Sequence, residues 1–120
     1  MMNAQAMNST NAVAKQGLKQ VDDIGTLVNT LRSKHLVVVD FFATWCGPCR
    51  MISPAFAKIA EKYGSRGDVA FLKVDVDQVP EANVRAMPTF RIYRDGKLVD
   101  EIEGAPRPAQ LEAWIGSHLG

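Results

Sequence analysis

Leu36-Val37-Val38-Val39-Asp40-Phe41-Phe42-Ala43-Thr44-Trp45-Cys46-Gly47-Pro48-Cys49-Arg50-Met51 joins an apolar run to the only two cysteines of the chain. Leu36 to Phe42 is almost continuously apolar, the pattern of a strand buried on both faces in a sheet covered by helices. Beyond the cysteines, Ile52, Phe56, Ile59, Ala60 and Tyr63 recur at helical spacing, so Met51 to Tyr63 reads as a helix. The thiols therefore stand at a strand-to-helix junction. A helix N-terminus presents unpaired N–H groups and positive potential. Thiolate is favoured there, and a thiol pKa falls from its free value of about 8.5. Cys46, nearer the outer end, is the expected attacking thiol. Cys49, one turn inward, is expected to be more buried and to act second. Gly47 and Pro48 let the turn close tightly and start the helix.

Two other readings of the pair are open: core cysteines that happen to be close, and half of a zinc site. A zinc site needs two further ligands, and His35 and His118 stand in no ligand-like spacing. As a staple the pair is poor, because the entropic gain of a cross-link grows with loop length. A secreted disulfide scaffold carries more cysteines, widely spaced. The usage fits a reducing compartment and a reactive pair.

Asp40 interrupts the apolar strand, sharing a face with Leu36, Val38 and Phe42 by the period of two. A carboxyl there is desolvated, which raises its pKa. It could act as the general base that deprotonates Cys49. It could equally be a structural acid paired with a cation, for which Lys73 on the next strand is the candidate.

Outward from this centre, Leu18 to Val21 reads as a short extended piece. Asp22 or Asp23 then caps a helix with Ile24, Leu27, Val28 and Leu31 on one face. Pro54 is expected to kink the helix after the cysteines, and Gly64 to stop it. Val69 to Val74 is the next strand, completing a βαβ unit with a right-handed crossover. Val79 to Val84 reads as a short helix. Thr89 to Arg94 and Lys97 to Glu103 flank Asp95-Gly96, a type I′ hairpin signal. Leu111, Trp114, Ile115 and Leu119 mark a C-terminal helix with Pro108 in its first turn. The expected architecture is α/β: a central mixed sheet, parallel at its centre with an antiparallel edge hairpin, and helices on both faces. Sites in such sheets lie at the carboxyl ends of strands, where Cys46 falls. The low base rate of cis X–Pro bonds favours trans at Met87–Pro88. Gly104 reads as a turn residue, or as a flat place for an incoming backbone.

The chain has 120 residues, 47% hydrophobic and 22% charged, with a net charge of +1. That fits one globular domain and implies no field-driven attraction to nucleic acid or membrane. No apolar run approaches the roughly 20 residues of a membrane span. Residues 1–17 lack the apolar block of a secretory signal and read as a flexible tail, with 18–120 as the domain. An organellar address is the alternative, since no acid precedes Asp22, but no arginine precedes Arg32 either.

The stretch from Val37 to Met51 closely resembles the active site of thioredoxins. The likeness continues through Lys73-Val74-Asp75-Val76-Asp77 and Met87-Pro88-Thr89-Phe90 to Gly104-Ala105, covering roughly Leu18 to Leu119. The resemblance implies a thioredoxin-like fold and a protein disulfide reductase that cycles Cys46 and Cys49 between dithiol and disulfide. It implies Cys46 as nucleophile, Cys49 as resolving thiol, Asp40 as the buried acid and Lys73 as its charged neighbour. It makes Pro88 the cis-proline, reversing the base-rate expectation, with the Met87 backbone pairing to substrate. Trp45, Gly47, Pro48, Gly104 and Ala105 complete an apolar docking surface. The implied partners are thioredoxin reductase, a flavoprotein drawing on NADPH, and disulfide-containing target proteins. No cofactor or metal is bound by the chain itself, which is expected to be a cytoplasmic monomer. Phe42 stands where many bacterial members have Trp, Glu103 puts a charge beside the docking surface, and residues before Leu18 have no counterpart in a minimal member. Two rival functions remain: a binding module whose redox state gates association, and an oxidant or isomerase. Pro48 counts against the latter, since such enzymes often carry His between the cysteines.

Overall fold

The computed structural model describes residues 17–119. The expectations for residues 1–16 lie outside that range. Five strands form one sheet in the order β1-β3-β2-β4-β5: β1 (Leu18–Val21), β2 (Leu36–Phe42), β3 (Val69–Asp75), β4 (Thr89–Arg94) and β5 (Lys97–Glu103). β3 runs parallel to both β1 and β2, while β4 pairs antiparallel with β2 and β5. The mixed sheet expected from the sequence is therefore present. β2 lies at its centre, and its continuous apolar run is buried on both sides.

Three helices among the described residues cover the sheet: α1 (Ile24–Ser33), α2 (Gly47–Tyr63) and α3 (Pro108–His118). Leu36 and Val38 of β2 pack with Ile52, Phe56 and Ile59 of α2 and with Leu111 and Ile115 of α3. Val37, Val39 and Phe41 face the other way, against Leu27 of α1 and Val79. Strand alternation thus sorts one apolar run into two cores.

Local signals account for most boundaries. Asp23 caps α1, its carboxylate accepting from the Thr26 N–H at 2.7 Å. Gly64 ends α2, donating its N–H to the Ala60 carbonyl at 2.7 Å. Pro54 lies inside α2 and supplies no N–H to the helix ladder. Asp95 and Gly96 have φ of 52° and 84°. Both values are positive, as a type I′ turn requires. At the last helix, Pro108 takes the first position, and the Gln110 side chain accepts from the Arg107 N–H.

α2 begins at Gly47, as the Gly47-Pro48 turn leads one to expect and four residues before the periodic stretch from Met51, because the Cys46 sulfur caps it and the pair can occupy a first turn whose N–H groups have no helical partners. Two expectations need correction. Val79 to Val84 is not a helix but a single 3₁₀ turn, Pro80–Ala82. Asn83 takes a left-handed conformation with φ of 55°, which ends the turn before it can propagate. Leu119 falls just past α3 as its C-cap.

Phe56 is fully buried between Phe71 and Phe90, at ring separations of 5.9 and 5.5 Å, and ties α2 to β3 and β4. Phe56→Ala is expected to cost about 3–5 kcal/mol. Urea unfolding checks it, as a lower midpoint with an unchanged slope.

Candidate active site

β2 delivers the chain to Ala43, and Cys46 then stands as the N-cap of α2. Its backbone is extended while its carbonyl accepts from the Arg50 N–H at 3.3 Å. Its sulfur accepts the N–H of Cys49 at 3.2 Å, the place a Ser or Asp oxygen takes in an ordinary cap. The two residues are joined as a disulfide, with Cα atoms 5.3 Å apart. Both are buried, Cys46 at 5% and Cys49 at 3% exposure. Burial ranks them in the expected order by a small margin. The hydrogen bond separates them more clearly, since the Cys46 sulfur receives the helix-end N–H. A thiolate at Cys46 would keep that donor and the positive end of the helix dipole.

The Cys46 sulfur also lies 3.7 Å from the Met87 carbonyl oxygen. The Met87–Pro88 bond is cis, as the resemblance implied and against the base-rate expectation of trans. Pro88 itself is buried, and its carbonyl accepts the Gly104 N–H at 2.8 Å. Gly104 has φ of +91°, so this turn demands glycine for its backbone, the turn reading of the sequence. That bond draws the end of β5 to the cis-proline segment and brings Gly104, with exposed Ala105 beside it, to the site. Trp45, 65% exposed, is fixed by its indole N–H to Asp77 at 3.0 Å. Pro48 is exposed and Gly47 half-buried. The seven residues expected to form a docking surface thus group around the disulfide through β2, the start of α2, and the β4 and β5 ends.

Asp40 has no exposed surface, and neither carboxyl oxygen has a hydrogen-bond partner among the described residues. Burial pushes its pKa up to about 7, partly offset by the positive charge of Lys73. The two residues are in register on β2 and β3. Yet the ion pair offered as the structural reading of Asp40 is not formed. The Lys73 ammonium donates to Ser53 Oγ at 2.9 Å and sits 4.5 Å from the centre of the Phe42 ring. A hydroxyl and an aromatic face hold the cation in place of the carboxylate.

His35 and His118 are occupied by Asp95 and Asp100, at 2.8 Å each, and no cluster of three metal-ligating side chains occurs among the described residues. Sequence reading did not single out Asp77, Met51 or Ser53. Met51 is 83% exposed beside the cysteines, an apolar side chain that helical periodicity cannot assign to either face in advance. Ser53 was findable: it lies four residues after Cys49, on the same face of α2.

The family model described as Thioredoxin matches residues 18–117. Thioredoxin of Coprinus comatus is 45% identical over 108 residues, spanning 87% of this chain and 97% of that protein. Thioredoxin-1 of Schizosaccharomyces pombe is 47% identical over 106 residues, spanning 85% and 99%. Among solved structures, Schistosoma mansoni thioredoxin superposes with a TM-score of 0.76 at 41% identity, covering 87% of this chain and 97% of that one.

A carboxyl whose folded pKa is raised from 3.8 to about 7 binds its proton more tightly in the folded state than in the unfolded one. Its contribution to stability is complete below the unfolded value and is lost as pH rises through about 7, a span of roughly 4 kcal/mol. Asp40→Asn removes that dependence. The variant is expected to be more stable than the parent at about pH 9 and to lose the advantage by about pH 4. Urea unfolding of the oxidised form across this range checks it; parallel stability curves would contradict it.

Proposed function

Because the chain belongs to the thioredoxin family and is a dithiol–disulfide oxidoreductase, we propose that it is a general reductant of protein disulfides. The observation that carries this reading is the Cys46 sulfur capping α2 beside the Met87 carbonyl. The first contact stabilises a thiolate. The second places that sulfur where an extended target segment can pair with the Met87 backbone as a short added strand. Residues 18–120 are the working domain and 1–17 a tail.

In the reduced protein, the Cys46 thiolate attacks one sulfur of the target disulfide. A Cys46–target bond forms, the target S–S bond breaks, and the first target thiolate leaves and takes a proton. Cys49 then loses its proton and attacks the Cys46 sulfur, closing the intramolecular disulfide and releasing the second target thiolate. Two electrons pass to the target in all. Asp40 accepts the Cys49 proton: it lies on the sheet face that α2 covers, and a carboxyl titrating near 7 suits that exchange. Lys73 is its charged neighbour and limits how far that pKa rises. Trp45, Gly47, Pro48, Met87, Pro88, Gly104 and Ala105 receive the target backbone and apolar side chains.

The chain needs no cofactor of its own. A thioredoxin reductase, carrying electrons from NADPH, restores the dithiol, as the family generally works. No helix among the described residues is long and apolar enough to cross a membrane. The two-cysteine usage fits a reducing, cytoplasmic compartment, and the net charge of +1 implies no field-driven attraction to nucleic acid or membrane.

Insulin reduction coupled to a thioredoxin reductase tests this reading. Cys46→Ser is expected to abolish turnover. Cys49→Ser is expected to accumulate a mixed disulfide with the target, visible by mass spectrometry. Iodoacetamide is expected to label Cys46 of the reduced protein first at neutral pH; faster labelling of Cys49 would reverse the two roles. Asp40→Asn is expected to slow the reduction rate near neutral pH.

A further inference from the structure

Ser53 stands one turn after Cys49 on α2, half-buried, and its hydroxyl is the hydrogen-bond partner of the Lys73 ammonium. Lys73 lies in register with Asp40 on the neighbouring strand. Adjacent strands run about 4.7–4.9 Å apart, and a lysine stem is long and flexible, so an ammonium in this position can reach the carboxyl. It does not. Ser53 Oγ at 2.9 Å and the Phe42 ring at 4.5 Å turn it toward a groove of about 220 Å³ lined by Cys49 and Arg50 as well. Among the described residues, both Asp40 oxygens are left without a partner.

We infer that Ser53 is a positioning residue: its hydroxyl holds the Lys73 ammonium over the Phe42 ring and off the Asp40 carboxyl, so that this acid works without a counter-ion. Around Asp40, near the carboxyl end of β2, the charged and titratable groups on this face are few; Arg94, Asp100 and His118 share the face but lie farther back along the sheet. β3 contributes Lys73 and Asp75, and α2 contributes Cys49 and Arg50. Opposite Asp40, β4 contributes the apolar Phe90. The Asp75 carboxylate accepts the Asp77 N–H, and the Arg50 guanidinium donates to the Thr44 carbonyl. Lys73 is therefore the cation whose placement sets the field at Asp40, and Ser53 sets that placement.

The inference extends the reading of Asp40 as proton acceptor, but its primary test does not depend on that reading. In the oxidised protein neither cysteine titrates, so the Asp40 carboxyl can be followed alone by carbon NMR across pH. Ser53→Ala suits the helix, since alanine is the best helix former. It releases the ammonium, and the Asp40 midpoint is expected to fall by about one pH unit as the cation closes on the carboxylate. Ser53→Thr keeps the hydroxyl and is expected to leave the midpoint in place. In a Lys73→Met background, Ser53→Ala is expected to have no effect, because the charge it releases is gone. A Ser53→Ala midpoint that stays or rises overturns the inference, as does a fall that persists without Lys73. The acid limb of the insulin-reduction profile is expected to move with the midpoint. If the midpoint falls while Asp40→Asn leaves the rate unchanged, the positioning role stands and the proton-acceptor reading fails.

Discussion

The hydrogen bond from the Cys49 N–H to the Cys46 sulfur is the point at which fold and chemistry meet. One atom ends the loop after β2, caps α2 and carries the reactive electron pair. A helix must satisfy or expose its first N–H groups, and sulfur is a weaker acceptor than the oxygen of an ordinary cap. Ionisation changes that balance, since a charged acceptor roughly doubles the strength of such a bond. The thiolate is thus the form that suits the helix end. The rest of the fold keeps this junction in place: β2 is buried on both faces, and α2 is pinned from below by Ile52, Phe56 and Ile59. The Gly104–Pro88 bond brings the Met87 carbonyl over the sulfur.

Asp40 is the counterweight. A fully buried carboxyl with no hydrogen bond and no ion pair among the described residues lowers stability whenever it is charged. An apolar residue in this strand would strengthen the core that Leu36 and Val38 share with α2. The acid persists in the centre of the sheet, and the neighbouring lysine is engaged elsewhere. Packing alone gives no reason for that combination, whereas the proposed role of Asp40 as proton acceptor for Cys49 does.

Much of this was readable in the chain. Six apolar residues interrupted by one acid before the cysteines identify β2, and the two-residue Asp95-Gly96 link identifies the hairpin. Period-two alternation put Asp40 among core residues. The reading failed where several weak preferences compete. Val79 to Val84 reads as a short helix, but a left-handed Asn83 holds it to one turn.

The sequence by itself determined the strand that delivers the thiols, their place at a helix N-terminus, and a carboxyl buried behind them. These follow from local periodicity and from chemistry at fixed spacing. Only the tertiary structure decided what each group meets: Met87 against the Cys46 sulfur, Asp77 on the Trp45 indole, and Ser53 rather than Asp40 on Lys73. These partners lie 20 or more residues apart along the chain, or on different elements, and a flexible side chain can choose among several acceptors within reach. Periodicity fixes which face a residue occupies, but the choice of partner on that face depends on how the elements pack.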